Sequence, residues 1–425
     1  MPSALYLVPA DAQEFWRSWT SGPVGALYLH VPFCLRKCAY CDFASCATPH
    51  QAPLMHDYAR SLHAMVRQVG EYGLLDSLAT AYIGGGTPTM LAPHDLGNLA
   101  AAVQRYGAIR ELSCEANPES LTPDHLAALR DGGATRISLG VQSFIDEELR
   151  VLGRVHTGQK AREALQASVA SGLRVSCDLM GATPRQTPQS FAYSIEQAIW
   201  LGVGHLSIYP LIIEEGTPFY AAVESGHMAQ PSEDSEADAM LAAQRILTAQ
   251  GFSRYEVASY SRPGEVCLHN LAYWNGTPYL GFGVAAASMV DAAGYEVLRQ
   301  LMPQLPRNAS AAARLRLSCT SSATEIAEAY GDVEALKFEI ESLTAREAAA
   351  EDLMLAARTT FGIGRELQER AYEAIGREAV DATIDDLCER GLLKQVASGA
   401  YVPTQQGWLL GNEVYGALWD LASDN

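Results

Sequence analysis

The sequence has no apolar run approaching the ~20 residues that a membrane-spanning helix needs. It is poor in positive charge: 30 Lys and Arg stand against 49 Asp and Glu, a formal net charge of −19. A broad grip on nucleic acid is disfavoured, because neutralising a phosphate backbone takes clustered cations. The opening stretch "MPSALYLVPADAQEFW" lacks a basic n-region, and the first Arg is Arg17. It does not read as a signal peptide, so the expected location is the cytoplasm. A disulfide framework is missing too, since nine cysteines are an odd set and six of them are scattered. Cys114, Cys177, Cys267, Cys319 and Cys388 read as small buried or half-buried residues.

What is present is a chain of 425 residues, 48% hydrophobic and 19% charged, enough for a large core and more than one domain. From residue 26 to about 211, short β-like runs alternate with amphipathic helical stretches. The runs are "ALYLHV", "TAYIG", "ELSCEA", "TRISLG", "RVSCDLM" and "HLSIYPL". Such alternation predicts βαβ units, a parallel sheet and, with right-handed crossovers, an open or partial barrel. In either architecture chemistry gathers at the carboxyl ends of the strands. The conspicuous residues fall there: clustered cysteines after the first run, "GGGTP" after the second, Glu115 in the third, Gln142 after the fourth and Asp178 in the fifth. Further on, "YEVASY" reads as a strand, and "GTPYLGFGVAAAS" as backbone that approaches something closely. Residues 291–345 are Ala- and Ser-rich and are not placed by pattern. From residue 346 the sequence suggests helix, β-ribbon, helix, a winged-helix-like module without a basic helix. The expected divisions are a leader over residues 1–25, a partial barrel with its extension over 26–290, a connector over 291–345 and the module over 346–425.

Cys34, Cys38 and Cys41 lie in "LYLHVPFCLRKCAYCDF" with the spacing C-x3-C-x2-C. Three thiolates from one loop want a soft or borderline metal. Structural zinc, completed by His30, Cys46 or His50, is one reading. The other is a 4Fe–4S cluster with three cysteine ligands and one iron left open. Elsewhere, "HNLAYW" sets an imidazole, His269, beside two flat aromatic faces, Tyr273 and Trp274. They could serve a porphyrin or simply pack in a core.

C-x3-C-x2-C with Tyr40 before the last cysteine resembles the radical S-adenosylmethionine signature. In order, "YLHVPFCLRKCAYCDF", "YIGGGTPTML", "CEANPESLTPDHL", "RISLGVQSF", "VLGRVHT", "CDLMGATPRQT" and "HNLAYW" resemble the oxygen-independent coproporphyrinogen III oxidase-like family, and within it the haem-chaperone branch. The resemblance implies a partial (β/α)6 barrel carrying a winged-helix-like module, and a cluster held by Cys34, Cys38 and Cys41. It implies that the open iron chelates S-adenosylmethionine, whose reductive cleavage gives a 5′-deoxyadenosyl radical. It assigns cofactor contacts to Tyr28, Tyr40, Gly85, Gly86, Thr87 and Glu115. Gln142, Arg154 and Asp178 match a set that contacts a second S-adenosylmethionine in the oxidase branch, with Leu211 and Ala287 as further contacts. It also implies haem handling by His269, Tyr273 and Trp274, with Cys267 an alternative ligand. The implied partners are haem, haem-acceptor proteins and an electron donor.

Two departures separate this chain from the oxidase branch. Phe43 stands where that branch has an extra cysteine, and the stretch before Tyr28 is shorter. Both favour haem transfer over oxidative decarboxylation of coproporphyrinogen III. "MGATPRQT" and "GFGVAAAS" also differ from the chaperones' usual sequences, and the second lacks a His near its end.

Overall fold

The computed structural model describes residues 24–50, 52–307 and 312–423. The expected leader lies outside them except for Val24 and Gly25. All six runs expected as strands form strands: β1 Ala26–Val31, β2 Thr80–Gly85, β3 Glu111–Ala116, β4 Arg136–Gln142, β5 Arg174–Gly181 and β6 His205–Pro210. They pair side by side in chain order, every pair parallel.

The crossover helices are Pro53–Glu71, Pro93–Val103, Pro123–Asp131, Gly158–Ala170 and Pro188–Trp200. Four of them begin with proline, where a missing N–H costs nothing because the first turn has no acceptor for it. Thr122, Thr157 and Thr187 accept backbone N–H bonds from the first turns that follow them.

Strand side chains alternate with period two, and here the two faces differ in kind. Leu27, Leu29, Ile83, Leu112, Ile137, Val175 and Leu206 face outward into the core that the helices cover. The intervening residues Tyr28, Tyr82, Glu115, Ser138, Asp178 and Ser207 come from six successive strands and line one internal cavity. The sheet therefore curls around a polar lumen.

Among the described residues the sheet has twelve strands. β7 Ser253–Arg254 and β8 Ser259–Ser261 extend it antiparallel beyond β6. On the other side, β9 Tyr279–Phe282 runs parallel to β1 and is followed by β10 Ala287–Asp291, β11 Arg314–Cys319 and β12 Phe338–Leu343, each antiparallel to its neighbour. The order is β12-β11-β10-β9-β1-β2-β3-β4-β5-β6-β8-β7.

Two expectations change. "YEVASY" is not one strand: only its end enters β8, because Glu256 turns back to accept from the Ala258 N–H at 3.2 Å and the Val257 carbonyl accepts from Trp408 Nε1 at 2.8 Å. The stretch left as a connector over 291–345 supplies β11 and β12, two strands of the main sheet. The close approach expected in "GTPYLGFGVAAAS" is to the chain's own backbone. A Cβ on Gly281 would meet the Ala287 carbonyl oxygen at 2.1 Å, and one on Gly283 would meet that of His30 at 2.5 Å.

After the sheet, helices Ala345–Ala356, Arg365–Ala374 and Arg377–Glu389 lead into a ribbon of β13 Leu393–Gln395 and β14 Tyr401–Pro403, then helix Gly411–Trp419. This is the expected helix, ribbon, helix order. The module has its own core around Leu353, Ile384, Leu387 and Leu418. Arg314 ties it to β11 by ion pairs of 2.7 Å to both Glu351 and Asp352. Among the described residues no helix is long and apolar enough to cross a membrane.

Candidate functional site

β1 ends at Val31 and delivers the chain to the cysteine loop at the carboxyl end of the barrel. Backbone bonds pin that loop: Cys46 N to Pro32 O at 2.8 Å, Thr48 N to Cys34 O at 2.8 Å, and Ala39 N to Leu152 O at 3.1 Å. Beneath it His30 donates from Nε2 to the Ala44 carbonyl at 2.8 Å. Its Nδ1 therefore accepts from the Tyr28 hydroxyl at 3.0 Å. Tyr28 thus supports the loop from inside the barrel.

Cys34, Cys38 and Cys41 are free thiols that line one cavity of about 340 Å3. Cys34 accepts a bond from Thr87 Oγ1 and Cys38 one from Arg154 Nη1, each at 3.5 Å. Burial pushes the Cys34 and Cys41 thiols up. Among the described residues no three His, Cys, Asp or Glu side chains are gathered closely enough to hold one metal ion. The donor set fits a group of several irons, which takes thiolates around its corners, better than it fits a single tetrahedral zinc. Cys46 is exposed and bonds Thr48 instead.

The same cavity is lined by Tyr40, Gly85, Gly86, Glu115, Gln142, Arg154 and Asp178. Gly85 has φ +114°, and a Cβ there would lie 2.6 Å from the His30 ring. A Cβ on Gly86 would lie 3.0 Å from Cys34 Sγ. Bare backbone is thus forced where the glycine motif meets the cysteine loop.

Glu115 accepts from Tyr82 Oη and from Gly85 N, both at 2.9 Å. Burial is the main cause that pushes its carboxyl up to about 7, offset in part by the Tyr82 bond and reinforced by Asp178. Burial also lifts Asp178 to about 6, against bonds from Ser207 and Ser138 that lower it. Arg154 donates from Nη2 to Asn117 Oδ1 and Gly140 O, each at 2.6 Å, which fixes its guanidinium beside Cys38. Gln142 sits where β4 slips register against β5, with φ +66°, a strained backbone at the cavity wall.

Not every expected contact lines this cavity. Thr87 reaches it only through its bond to Cys34. Leu211 packs in a small apolar cluster with Tyr40, Met180 and Phe219. Ala287 lies on β10 and does not line it. Two polar residues that the sequence reading passed over are built into the site: Tyr82, and Asn117, which accepts from Arg154 and donates to Thr87 Oγ1 at 2.8 Å. Both follow from position, since Tyr82 is on the inward face of β2 and Asn117 directly follows β3.

Below the cysteine cavity lies a second one of about 230 Å3, reached past Glu115, Ser138, Asp178 and Tyr209, which line both. "HNLAYW" closes its far end. The short helix Leu268–Trp274 lies across the amino ends of the strands. There the His269 N–H donates to Glu111 Oε1 at 3.0 Å, and Nδ1 pairs with Thr80 Oγ1 at 3.1 Å. Beside it Glu111 meets Arg136 and Arg174 at 3.2 Å each; against the cost of burial, the two guanidiniums hold its carboxyl down at about 2. His269 is 1% exposed, stacked on Tyr82, with Tyr273 edge-on to it. Burial pushes its imidazole down to about 4. Cys267 is equally enclosed, with its thiol donating to Glu111 Oε1 at 3.3 Å. Trp274 turns away from His269, its ring under the Arg358 guanidinium at 5.6 Å. The stretch forms the floor of the barrel, where His269 lines the lumen and its Nε2 has no hydrogen-bond partner.

Comparison with known proteins agrees with this geometry. Residues 28–198 match the radical SAM superfamily. The heme chaperone HemW of Bacillus subtilis is 31% identical over 400 residues, covering 92% of this chain and 98% of its own. HemW of Escherichia coli is 36% identical over 289 residues, 67% of this chain and 75% of its own. Coproporphyrinogen III oxidase (HemN) of Escherichia coli, a radical SAM enzyme, superposes with a TM-score of 0.72 over 98% of this chain and 96% of its own, at 20% identity, which is a likeness of fold. The chain belongs to the HemW heme-chaperone family of the radical SAM superfamily.

Proposed function

We propose that Cys34, Cys38 and Cys41 hold a 4Fe–4S cluster, that S-adenosylmethionine fills the rest of the cavity they line, and that the protein carries haem to acceptor proteins in the cytoplasm. The observation that carries the first two parts is the single cavity shared by the three thiols, the bare Gly85 and Gly86 backbone, Glu115 and Arg154. When bound, the cluster supplies the electron, received from a donor protein, that cleaves S-adenosylmethionine. The chain's own work is to hold and orient. Thr87 and Arg154 direct donors at cluster-bound sulfur, which disperses its negative charge. Glu115 is poised to accept from ribose hydroxyls, and Gly85 and Gly86 leave room for the methionine end. Gln142, Arg154 and Asp178 would serve a second molecule of the cofactor if one binds.

Haem transfer is preferred to decarboxylation for two reasons besides kinship. Phe43, 59% exposed, stands at the mouth of the cavity where the oxidase branch has its extra cysteine. The lumen beneath, at about 230 Å3, falls short of the roughly 300–1,000 Å3 that small-molecule sites span.

The test is anaerobic reconstitution followed by three assays. Iron and sulfide should fit one 4Fe–4S cluster per chain. S-adenosylmethionine should perturb the reduced cluster's spectrum. Haem should bind, and coproporphyrinogen III should give no protoporphyrinogen when reductant and S-adenosylmethionine are supplied. Stoichiometric zinc without iron, or multiple-turnover decarboxylation, would overturn the reading.

A further inference from the structure

The stretches that hold Glu115 and Arg154, "CEANPESLTPDHL" and "VLGRVHT", carry three further polar residues: Asn117, Glu119 and His156. Their hydrogen bonds go to carbonyls and to other side chains rather than to sulfur. They stand directly behind the two groups that do reach sulfur, Thr87 and Arg154.

Asn117 sets the aim of both. Its Oδ1 accepts from Arg154 Nη2 at 2.6 Å, so its Nδ2 is the atom that donates to Thr87 Oγ1 at 2.8 Å. A hydroxyl that accepts there keeps its own proton for another partner, and Thr87 Oγ1 lies 3.5 Å from Cys34 Sγ. Arg154 Nη2 is spent on Asn117 and on Gly140 O, which leaves Nη1 for Cys38 Sγ at 3.5 Å. One amide thus directs donors at two of the three thiols.

Glu119 and His156 set the charge behind that layer. His156 is buried, with Nε2 3.1 Å from the Val141 carbonyl and Nδ1 3.1 Å from Glu119 Oε2. Both partners are acceptors, so both ring nitrogens donate and the ring is an imidazolium. Against burial, which pushes it up, the His156 bond and the Arg154 guanidinium hold the Glu119 carboxyl down, so it is ionised. Its Oε2 also lies 3.8 Å from Arg154 Nη2. The wall beside Cys38 therefore carries two cations against one carboxylate. Packing does not require this charge. The Ala39 N to Leu152 O bond already joins the turn that bears Arg154 to the cysteine loop, and a Cβ on Gly153 would lie 3.1 Å from Ala39 N.

We propose that Asn117, Glu119 and His156 are positioning residues that raise the reduction potential of the cluster, Asn117 by aiming two donors and the Glu119–His156 pair by keeping a net positive charge beside Cys38. The potential of an iron–sulfur centre follows its net charge and the hydrogen bonds to its sulfurs. Outer partners of this kind tune a metal centre without touching it. Both devices here favour the added electron and so ease reduction by the donor. The inference rests on the cluster reading proposed above.

The test is a redox titration of the reconstituted full chain, with dithionite as reductant and without S-adenosylmethionine, followed by the signal of the reduced cluster. His156→Gln can donate to the same acceptors but carries no charge, and it should titrate at a more negative potential than wild type. Adding Glu119→Gln to it should bring the potential back toward wild type, because Arg154 again stands as one unopposed cation. Asn117→Asp keeps the shape of the side chain, turns the donor facing Thr87 into an acceptor and adds negative charge, so it too should titrate more negative. A role in packing alone predicts the opposite for the double variant, which would then depart from wild type further than the single one. Full iron and sulfide in His156→Gln or Asn117→Asp with an unmoved potential would overturn the inference and leave the cluster standing. So would loss of the cluster in His156→Gln that Glu119→Gln does not restore, since the pair would then serve assembly. Zinc without iron in wild type would overturn both.

Discussion

Replacing Glu115 with Gln keeps the shape of the side chain and removes one titration. An ordinary Glu carboxyl titrates near 4.5, and this one is pushed up to about 7, chiefly by burial. Between those values the folded chain keeps a proton that the unfolded chain has lost. Stability therefore falls as pH rises through that window, and the loss is complete above the folded value. A gap of about 2.5 pH units corresponds to about 3 kcal/mol. Gln escapes that loss, but its amide cannot accept both from Tyr82 and from Gly85 N, so about 1 kcal/mol of hydrogen bonding goes. The balance is a variant more stable than wild type by about 2 kcal/mol at pH 8 and close to parity at pH 5. In a chain of this size that is a Tm difference of a few degrees at the higher pH only. The assay is thermal unfolding of cluster-free protein at both pH values, under argon. The same offset at pH 5 and pH 8 would refute the reasoning, since the carboxyl would then ionise in the fold at no cost. S-adenosylmethionine affinity of the loaded variant should fall by about 1–3 kcal/mol, the scale of a bond to a charged group. The expected pairing is a steadier apoprotein with a poorer site.

Cys34→Ala, Cys38→Ala and Cys41→Ala should each abolish the brown colour and the bound iron after reconstitution, while Cys46→Ala keeps both. Gly85→Ala should destabilise the chain by more than about 1 kcal/mol, because an L side chain at φ +114° is strained and its Cβ meets His30; it should also blunt the spectral response of the reduced cluster to S-adenosylmethionine. Glu111→Ala should cost about 3–5 kcal/mol in unfolding experiments by leaving Arg136, 1% exposed, without its carboxylate, yet leave iron per folded molecule unchanged.

The partial barrel could be read from the sequence because each of its first six strands announces itself by period-two alternation, and each crossover helix by a proline or threonine at its start. The cysteine cluster could be read because its three ligands are local. What sequence did not yield is set by contacts between distant residues. "RLRLSC" and "FEIESL" are half-exposed strands at a sheet edge, set in Ala- and Ser-rich surroundings, and only their pairing with each other and with β10 makes them strands. "HNLAYW" has a composition that suits either a porphyrin or a plug. Its place across the floor is set by Thr80 and Glu111, 189 and 158 residues from His269. Tyr82 went unnoticed because an isolated tyrosine in an apolar run looks like core. It becomes a functional partner only once the inward face of the sheet is known to be polar.

That polar inward face divides the molecule's tasks along the barrel axis. At the amino ends of the strands, Glu111, Arg136 and Arg174 pair with one another, and His269 is neutral and enclosed with its Nε2 unpartnered. At the carboxyl ends the two acids are held by hydrogen bonds rather than by paired guanidiniums. Glu115 and Asp178 face each other with raised affinities for protons, and Arg154 keeps its Nε unpaired beside a thiol. Buried ion pairs at the floor anchor the same strands that carry the strained groups at the mouth.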